Sequence, residues 1–154
     1  MRILGICGSP RRKGNTEILL DNALNGAKSK GAQIEKILLN ALKIKPCQEC
    51  ENAPKDGSCI INDDMQVIYK KVDESDAIIL ASPIFFGSLS AQTKIMIDRF
   101  QCIWTAKNIY KTLPNRNKKP GAFICVEGTD IPKFFENAKS IIKNYFATID
   151  VSYG

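Results

Sequence analysis

Three segments of this 154-residue chain carry residue types whose spacing could support chemistry. The first is Gly-Ser-Pro-Arg-Arg-Lys-Gly-Asn-Thr-Glu, residues 8 to 17. Gly8 and Gly14 let the backbone bend around an anion, Ser9, Asn15 and Thr16 add short side-chain donors, and Arg11, Arg12 and Lys13 add charge. Ahead of a helix, where the first N–H groups have no intrahelical partner, such a loop suits a phosphate; an ordinary strand-to-helix turn is the plain alternative. Neither G-x-x-x-x-G-K-[ST] nor G-x-G-x-x-G is present, so the signatures of a nucleoside triphosphatase loop and of a dinucleotide site are missing. The second segment, Ser-Pro-Ile-Phe-Phe-Gly-Ser-Leu-Ser-Ala-Gln-Thr-Lys (82 to 94), sets Ile84, Phe85 and Phe86 between Pro83 and Gly87. Rigid backbone groups there can read the polar edge of a flat aromatic ligand while the apolar side chains cover its face or meet a neighbouring subunit. The alternative is that two of the three pack into the core. The third segment holds Cys47-x-x-Cys50 and Cys59, half of the six cysteines.

A structural zinc site or a [4Fe–4S] cluster takes four ligands, and only these three cysteines are local. Three readings stay open for them: free thiols, a redox-active pair or disulfide of Cys47 and Cys50, or a metal or cluster site completed by a remote residue such as Cys102. Pro46, Glu49 and Glu51 weigh against a strongly activated thiolate. Histidine is absent from the chain, which excludes an imidazole base, triad member or metal ligand.

The elements that must position these segments follow from the apolar pattern. Arg2 to Cys7 reads as a short buried strand. Leu20, Ala23, Leu24 and Ala27 then repeat at helical spacing, with Gly31 at a helix C′ position. Residues 33 to 40 read as a second strand. After the cysteine segment, a helix capped by Asp63 or Asp64 carries Met65, Ile68, Tyr69 and Val72. Residues 76 to 83 form an apolar strand that Pro83 is expected to end. A helix from about Ser90 places Met96, Phe100 and Ile103 on one side. Ala122 to Gly128 forms the fourth strand, and Pro132 opens a helix with Phe134, Ala138, Ile141 and Tyr145. Residues 146 to 154 read as a fifth strand. This alternation predicts a doubly wound α/β fold, a five-stranded parallel sheet with helices on both faces and ligands outside the carboxyl ends of the strands.

Length and 44% apolar composition fit a single domain over residues 1–154. No run approaches a membrane span or a secretory signal, so the expectation is a cytoplasmic protein without membrane contact. Cys7 and Cys125 sit in apolar runs, which fits reduced thiols. A net charge of +6 favours anionic ligands. The basic residues are dispersed and do not alternate with aromatics, so nucleic-acid binding is not expected. Arg116, Lys118 and Lys119 read as a solvated turn or as an aid to recruiting a phosphate-bearing nicotinamide or an acidic partner.

A phosphate anchor and an aromatic platform on adjacent strand ends have the shape of a flavin mononucleotide (FMN) site. The chain resembles the NADPH-dependent FMN reductase-like branch of the flavodoxin-like flavoproteins, which includes the iron-sulfur flavoproteins. The resemblance rests on G-S-P-R-x-x-G-N-T, S-P-[IV]-[YF]-F-G-S-x-S-A-Q-x-K and the following I-D-R. It implies strand order 2-1-3-4-5, Ser9, Arg11, Asn15 and Thr16 on the FMN phosphate, and Pro83, Ile84, Phe85, Phe86, Gly87 and Ser88 around the ring. Glu127, Gly128 and Thr129 are implied on the other side. It also implies NADPH or NADH as donor. A flavin carries its own hydride chemistry, so no catalytic side chain is assigned. The family's C-x-x-C-x-x-C-x-x-x-x-x-C pattern meets Cys47, Cys50 and Cys59 but falls on Ala53 at its third position, so an iron-sulfur cluster is not expected. The sheet ends on strand five without the family's last helix, leaving a face for a second copy in a dimer or tetramer. The function so implied is reduction of small acceptors such as flavin or quinone. The alternatives are an electron-transfer module for a protein partner, including one descended from an iron-sulfur flavoprotein that has lost its cluster, and a fold kept without FMN.

Overall fold

Alternate side chains of the central strands face different layers, as the twofold period of a strand requires. From β1 (Arg2–Cys7) and β3 (Ala77–Phe85), Leu4, Ile6, Ile78 and Leu80 enter one core, while Ile3, Cys7, Ile79 and Ala81 face the other. Such strands read as unbroken apolar runs because both faces are covered. The computed structural model describes residues 1–153.

One face is covered by α1 (Asn15–Ser29), which buries Leu20 and Leu24 over the sheet. Each fully buried leucine contributes on the order of 1.5–3 kcal/mol. The helix ends at Lys30, and Gly31 follows at φ 87°, the left-handed turn expected of it. The other face takes α2 (Met65–Glu74), with Met65, Ile68 and Val72 buried, and α5 (Pro132–Thr148), with Ala138, Ile142, Tyr145 and Phe146 buried. On the α1 face Ala122 stays exposed and Ile124 half-buried.

The parallel sheet runs β2 (Gln33–Leu38), β1, β3, β5 (Lys119–Val126), β6 (Val151–Tyr153). Along that path the order is the expected 2-1-3-4-5, and the two-residue β4 (Ser88–Leu89) adds an antiparallel hairpin to the end of β3. The register pairs Cys7 with Ala81 and Pro83 with Val126, so the loops after β1, β3 and β5 leave the sheet side by side.

Several boundaries differ from the sequence reading. Pro83 does not end the third strand, which continues to Phe85. Pairing to β1 has already stopped at Ala81, so the missing proline N–H costs no bond on that side. The second strand stops at Leu38, and Leu39–Ala41 form a 3₁₀ turn. Phe146 to Thr148 belong to α5, because Phe146 extends the buried stripe of Ala138, Ile142 and Tyr145; the fifth strand is only Val151–Tyr153, and Gly154 lies outside the described residues. The helix after Ser90 is broken into α3 (Ala91–Asp98) and α4 (Gln101–Thr105), followed by a π turn over Ala106–Tyr110. At the break the Arg99 carbonyl accepts from the Tyr69 hydroxyl at 2.5 Å instead of continuing the helical ladder. Among the described residues no helix is long and apolar enough to cross a membrane.

Candidate functional site

The loop after β1 is built by hydrogen bonds within the loop itself. The Arg11 N–H donates to Ser9 Oγ at 3.2 Å, and Lys13 stands at φ 56°. Successive N–H groups in such a turn form an anion-binding concavity. Glu17, in the first turn of α1, reaches back to accept from the Lys13 N–H at 2.6 Å and receives Lys36 Nζ at 2.9 Å. The bond resembles the backward arm of a capping box but reaches one residue further, to the N–H before the N-cap. The hydrogen bond from Lys36, then the one from Lys13, holds the buried Glu17 carboxyl below the usual carboxylate range. Gly14 is the N-cap, and no side chain caps this end of α1. The helix therefore presents its first N–H groups, with their partial positive charge, beside Arg11, Asn15 and Thr16. Thr16 and Ser9 are buried, while Arg11 and Asn15 are exposed.

A buried hydroxyl network locks this loop to the one after β3. Ser90 Oγ donates to the Gly8 carbonyl at 2.6 Å and lies 2.9 Å from Thr93 Oγ1, and Ser82 Oγ joins them. A Cβ on Gly8 would stand 1.8 Å from Thr93 Oγ1, so only glycine fits. From the end of β2, Asn40 Nδ2 donates to the Pro10 carbonyl and its Oδ1 accepts from Gln92, both at 3.1 Å. Glu17, Lys36, Asn40, Gln92 and Thr93 were not singled out from sequence. The Glu at the third helical position was a readable signal for the first of these, and the Ser90 and Gln92 of the S-x-S-A-Q motif for the network.

The apolar trio divides. Ile84 is buried in the core, so only its backbone faces the loop, whereas Phe85 is 45% exposed and Phe86 fully exposed at the hairpin tip. Phe86 holds φ 51° and Gly87 φ 72°. An unusual backbone for an aromatic residue marks a turn set for use rather than for packing. Gly87 lies under Phe134 of α5, and its carbonyl accepts from Asn137 at 3.3 Å. Ser88 is half-buried in the return strand. The third loop begins where β5 ends. Glu127 follows Val126, the register partner of Pro83, and one of its carboxylate oxygens is buried without a hydrogen-bond partner, while Gly128 and Thr129 are exposed.

The basic turn sits at the other end of the sheet. Arg116 pairs with Asp73, and Lys119, which opens β5, points Nζ at the α2 C-terminal carbonyls of Val72 and Ser75. Burial holds the Lys119 ammonium below its ordinary pKa. Lys119 thus caps the C-terminal end of α2 and Arg116 is held by Asp73, so neither extends the loop after β1.

The cysteine segment lines a separate cavity of about 570 Å³. Cys47, Cys50 and Cys59 share it with Cys102, so the fold does bring the remote cysteine to the same space. Arg99, whose guanidinium is fully buried, organises one wall. It donates to Asp63 at 2.7 Å, to the Lys45 carbonyl at 2.9 Å, to the Ile61 carbonyl at 3.2 Å and to Cys59 Sγ at 3.3 Å. Burial opposes charge on Asp63, but Arg99 and the Lys45 and Met65 N–H groups hold its carboxyl below the usual range. Burial pushes the Cys102 thiol up. Four thiols thus line this space, but they are not gathered as a four-thiolate cluster requires. Ala53 supplies no ligand, Cys59 is engaged by a cation, and among the described residues no three Cys, Asp or Glu side chains converge as a metal site.

Residues 1–132 match the family model described as NADPH-dependent FMN reductase. An iron-sulfur flavoprotein of Methanocaldococcus jannaschii is 44% identical over 99 residues, which are 64% of this chain and 51% of that protein. The iron-sulfur flavoprotein of Methanosarcina thermophila is 37% identical over 99 residues, again 64% of this chain and 52% of that protein. This chain thus spans about half the length of the curated relatives it matches. Among solved structures, an NAD(P)H:quinone oxidoreductase from Methanothermobacter marburgensis superposes with a TM-score of 0.75 at 16% identity, covering 100% of this chain and 82% of that one, a likeness of fold.

Proposed function

We propose, from the premise that this chain belongs to the NADPH-dependent FMN reductase family, that it binds FMN across its three strand-end loops and passes electrons from NADPH or NADH to small acceptors. The observation that carries this reading is the uncapped N-terminus of α1, held in a loop that the Ser90 to Gly8 hydrogen bond fixes against an exposed aromatic hairpin. A phosphate anchor and a ring platform on one rigid frame are what a flavin nucleotide needs.

In this reading Ser9, Arg11, Asn15, Thr16 and the α1 N–H groups hold the phosphate. Pro83, Ile84 and Gly87 offer backbone groups to the ring edge, Phe85 and Phe86 offer apolar cover, and Ser88 supports the turn. Glu127, Gly128 and Thr129 close the other side. FMN supplies the hydride and electron transfer when bound, so a chain without histidine needs only to bind it, orient it and set its electrostatic surroundings. Phe85, Phe86 and the exposed Ile18 and Leu19 of α1 support a homo-oligomer, a dimer or tetramer, in which a second copy covers apolar surface.

Anaerobic loading with FMN followed by NADPH or NADH, with a quinone or free flavin as acceptor, tests the activity. Catalytic oxidation of the nicotinamide nucleotide is expected. A chain that binds FMN yet oxidises neither nucleotide is a relay to a protein partner instead, and the enzyme reading fails.

A further inference from the structure

We propose that Glu127 sets the reduction potential of bound FMN by placing a carboxylate oxygen against the flavin ring. The inference rests on the FMN reading above and concerns a role for which the fold supplies a specific sign. Glu127 Oε2 is closed off from solvent and has no hydrogen-bond partner among the described residues. Buried polar atoms are almost always satisfied, and a single orphan at a strand end points to a donor brought by a ligand. Its place agrees. Glu127 leaves β5 immediately after Val126, which is in register with Pro83, so it opens onto the gap between the third loop and the aromatic hairpin. Cys125, two residues earlier in β5, has its thiol pushed up by burial and then by the charge of the neighbouring Glu127.

FMN offers N–H on its ring and O–H on its ribityl chain as donors. When bound, FMN would take a hydride, two electrons and one proton, from the nicotinamide nucleotide and would return both electrons and that proton, with one further proton from solvent, to the acceptor, so its reduced form would carry one more negative charge than its oxidised form. Glu127 is unchanged through this cycle. A fixed negative charge at the ring opposes the reduced form and makes bound FMN a stronger reductant.

Dissociation constants for oxidised and reduced FMN, with the midpoint potential from an anaerobic redox titration, test the role in wild type, Glu127→Gln and Glu127→Ala. Both variants are expected to favour reduced over oxidised FMN about tenfold more than wild type does, a rise of about 30 mV in the two-electron potential. Equal changes in affinity for the two redox states place Glu127 on the ribityl chain and overturn the proposal, as does an unmoved potential. Wild-type protein that takes up no FMN overturns the cofactor reading itself. Far-UV circular dichroism of each variant separates these results from misfolding.

Discussion

Ser90 Oγ and the Gly8 carbonyl, 82 positions apart in sequence, meet at 2.6 Å and join the loop ahead of α1 to the loop behind β3. Replacing Ser90 with alanine leaves buried polar groups without partners and is expected to destabilise by about 1–3 kcal/mol. Gly8→Ala places a methyl group against Thr93 Oγ1 and is expected to cost at least as much. Urea unfolding of the two variants checks both values, and each variant should also bind FMN more weakly than wild type.

Glu17 gives the phosphate loop a pH signature. Its folded pKa lies below the unfolded value of about 4.3, so its contribution is complete above that pH and is lost as pH falls through the folded value. Glu17→Gln is expected to remove this acid-side dependence and to weaken FMN binding at neutral pH by loosening Lys13. Thermal melts between about pH 3 and 7 compare the two proteins. Identical slopes would contradict the assignment.

How much of this was legible in the sequence depended on whether a residue acts locally. The loops after the first and third strands could be read because spacing along the chain encodes them, whereas the strand order came with the family resemblance. Gly31 also ended its helix as its neighbours dictated. The Asn40 to Pro10 and Ser90 to Gly8 bonds could not be read, since they join residues 30 and 82 apart. Phe146 was assigned to a strand because an aromatic, β-branched run suits either element, and packing of α5 against the sheet decided it. Cys102 lines the same cavity as the other cysteines through long-range packing, which spacing along the chain does not encode.

Arg99 and Asp63 form a buried pair that fixes the cysteine segment to the α3–α4 break. Arg99→Leu leaves Asp63 buried and unpaired, with an expected loss of about 3–5 kcal/mol. Adding Asp63→Asn should recover part of it. A double-mutant cycle by chemical denaturation checks the coupling, and strictly additive single effects would contradict it.

Phe86 contributes no burial at its own site, and its left-handed backbone suits glycine better. Phe86→Gly is therefore expected to leave stability unchanged or raise it by up to about 1 kcal/mol. The same change should weaken FMN binding by up to about tenfold through loss of ring cover. Melting temperature and fluorescence titration on one preparation show whether the two effects separate.

The central claim, a phosphate anchor and a flavin platform on one frame, is tested most directly by titrating the chain with FMN and with riboflavin while following flavin fluorescence. One FMN per chain and markedly weaker riboflavin binding are expected, with the preference for FMN reduced in Arg11→Ala. Equal affinity for the two ligands, or no binding of either, would contradict it.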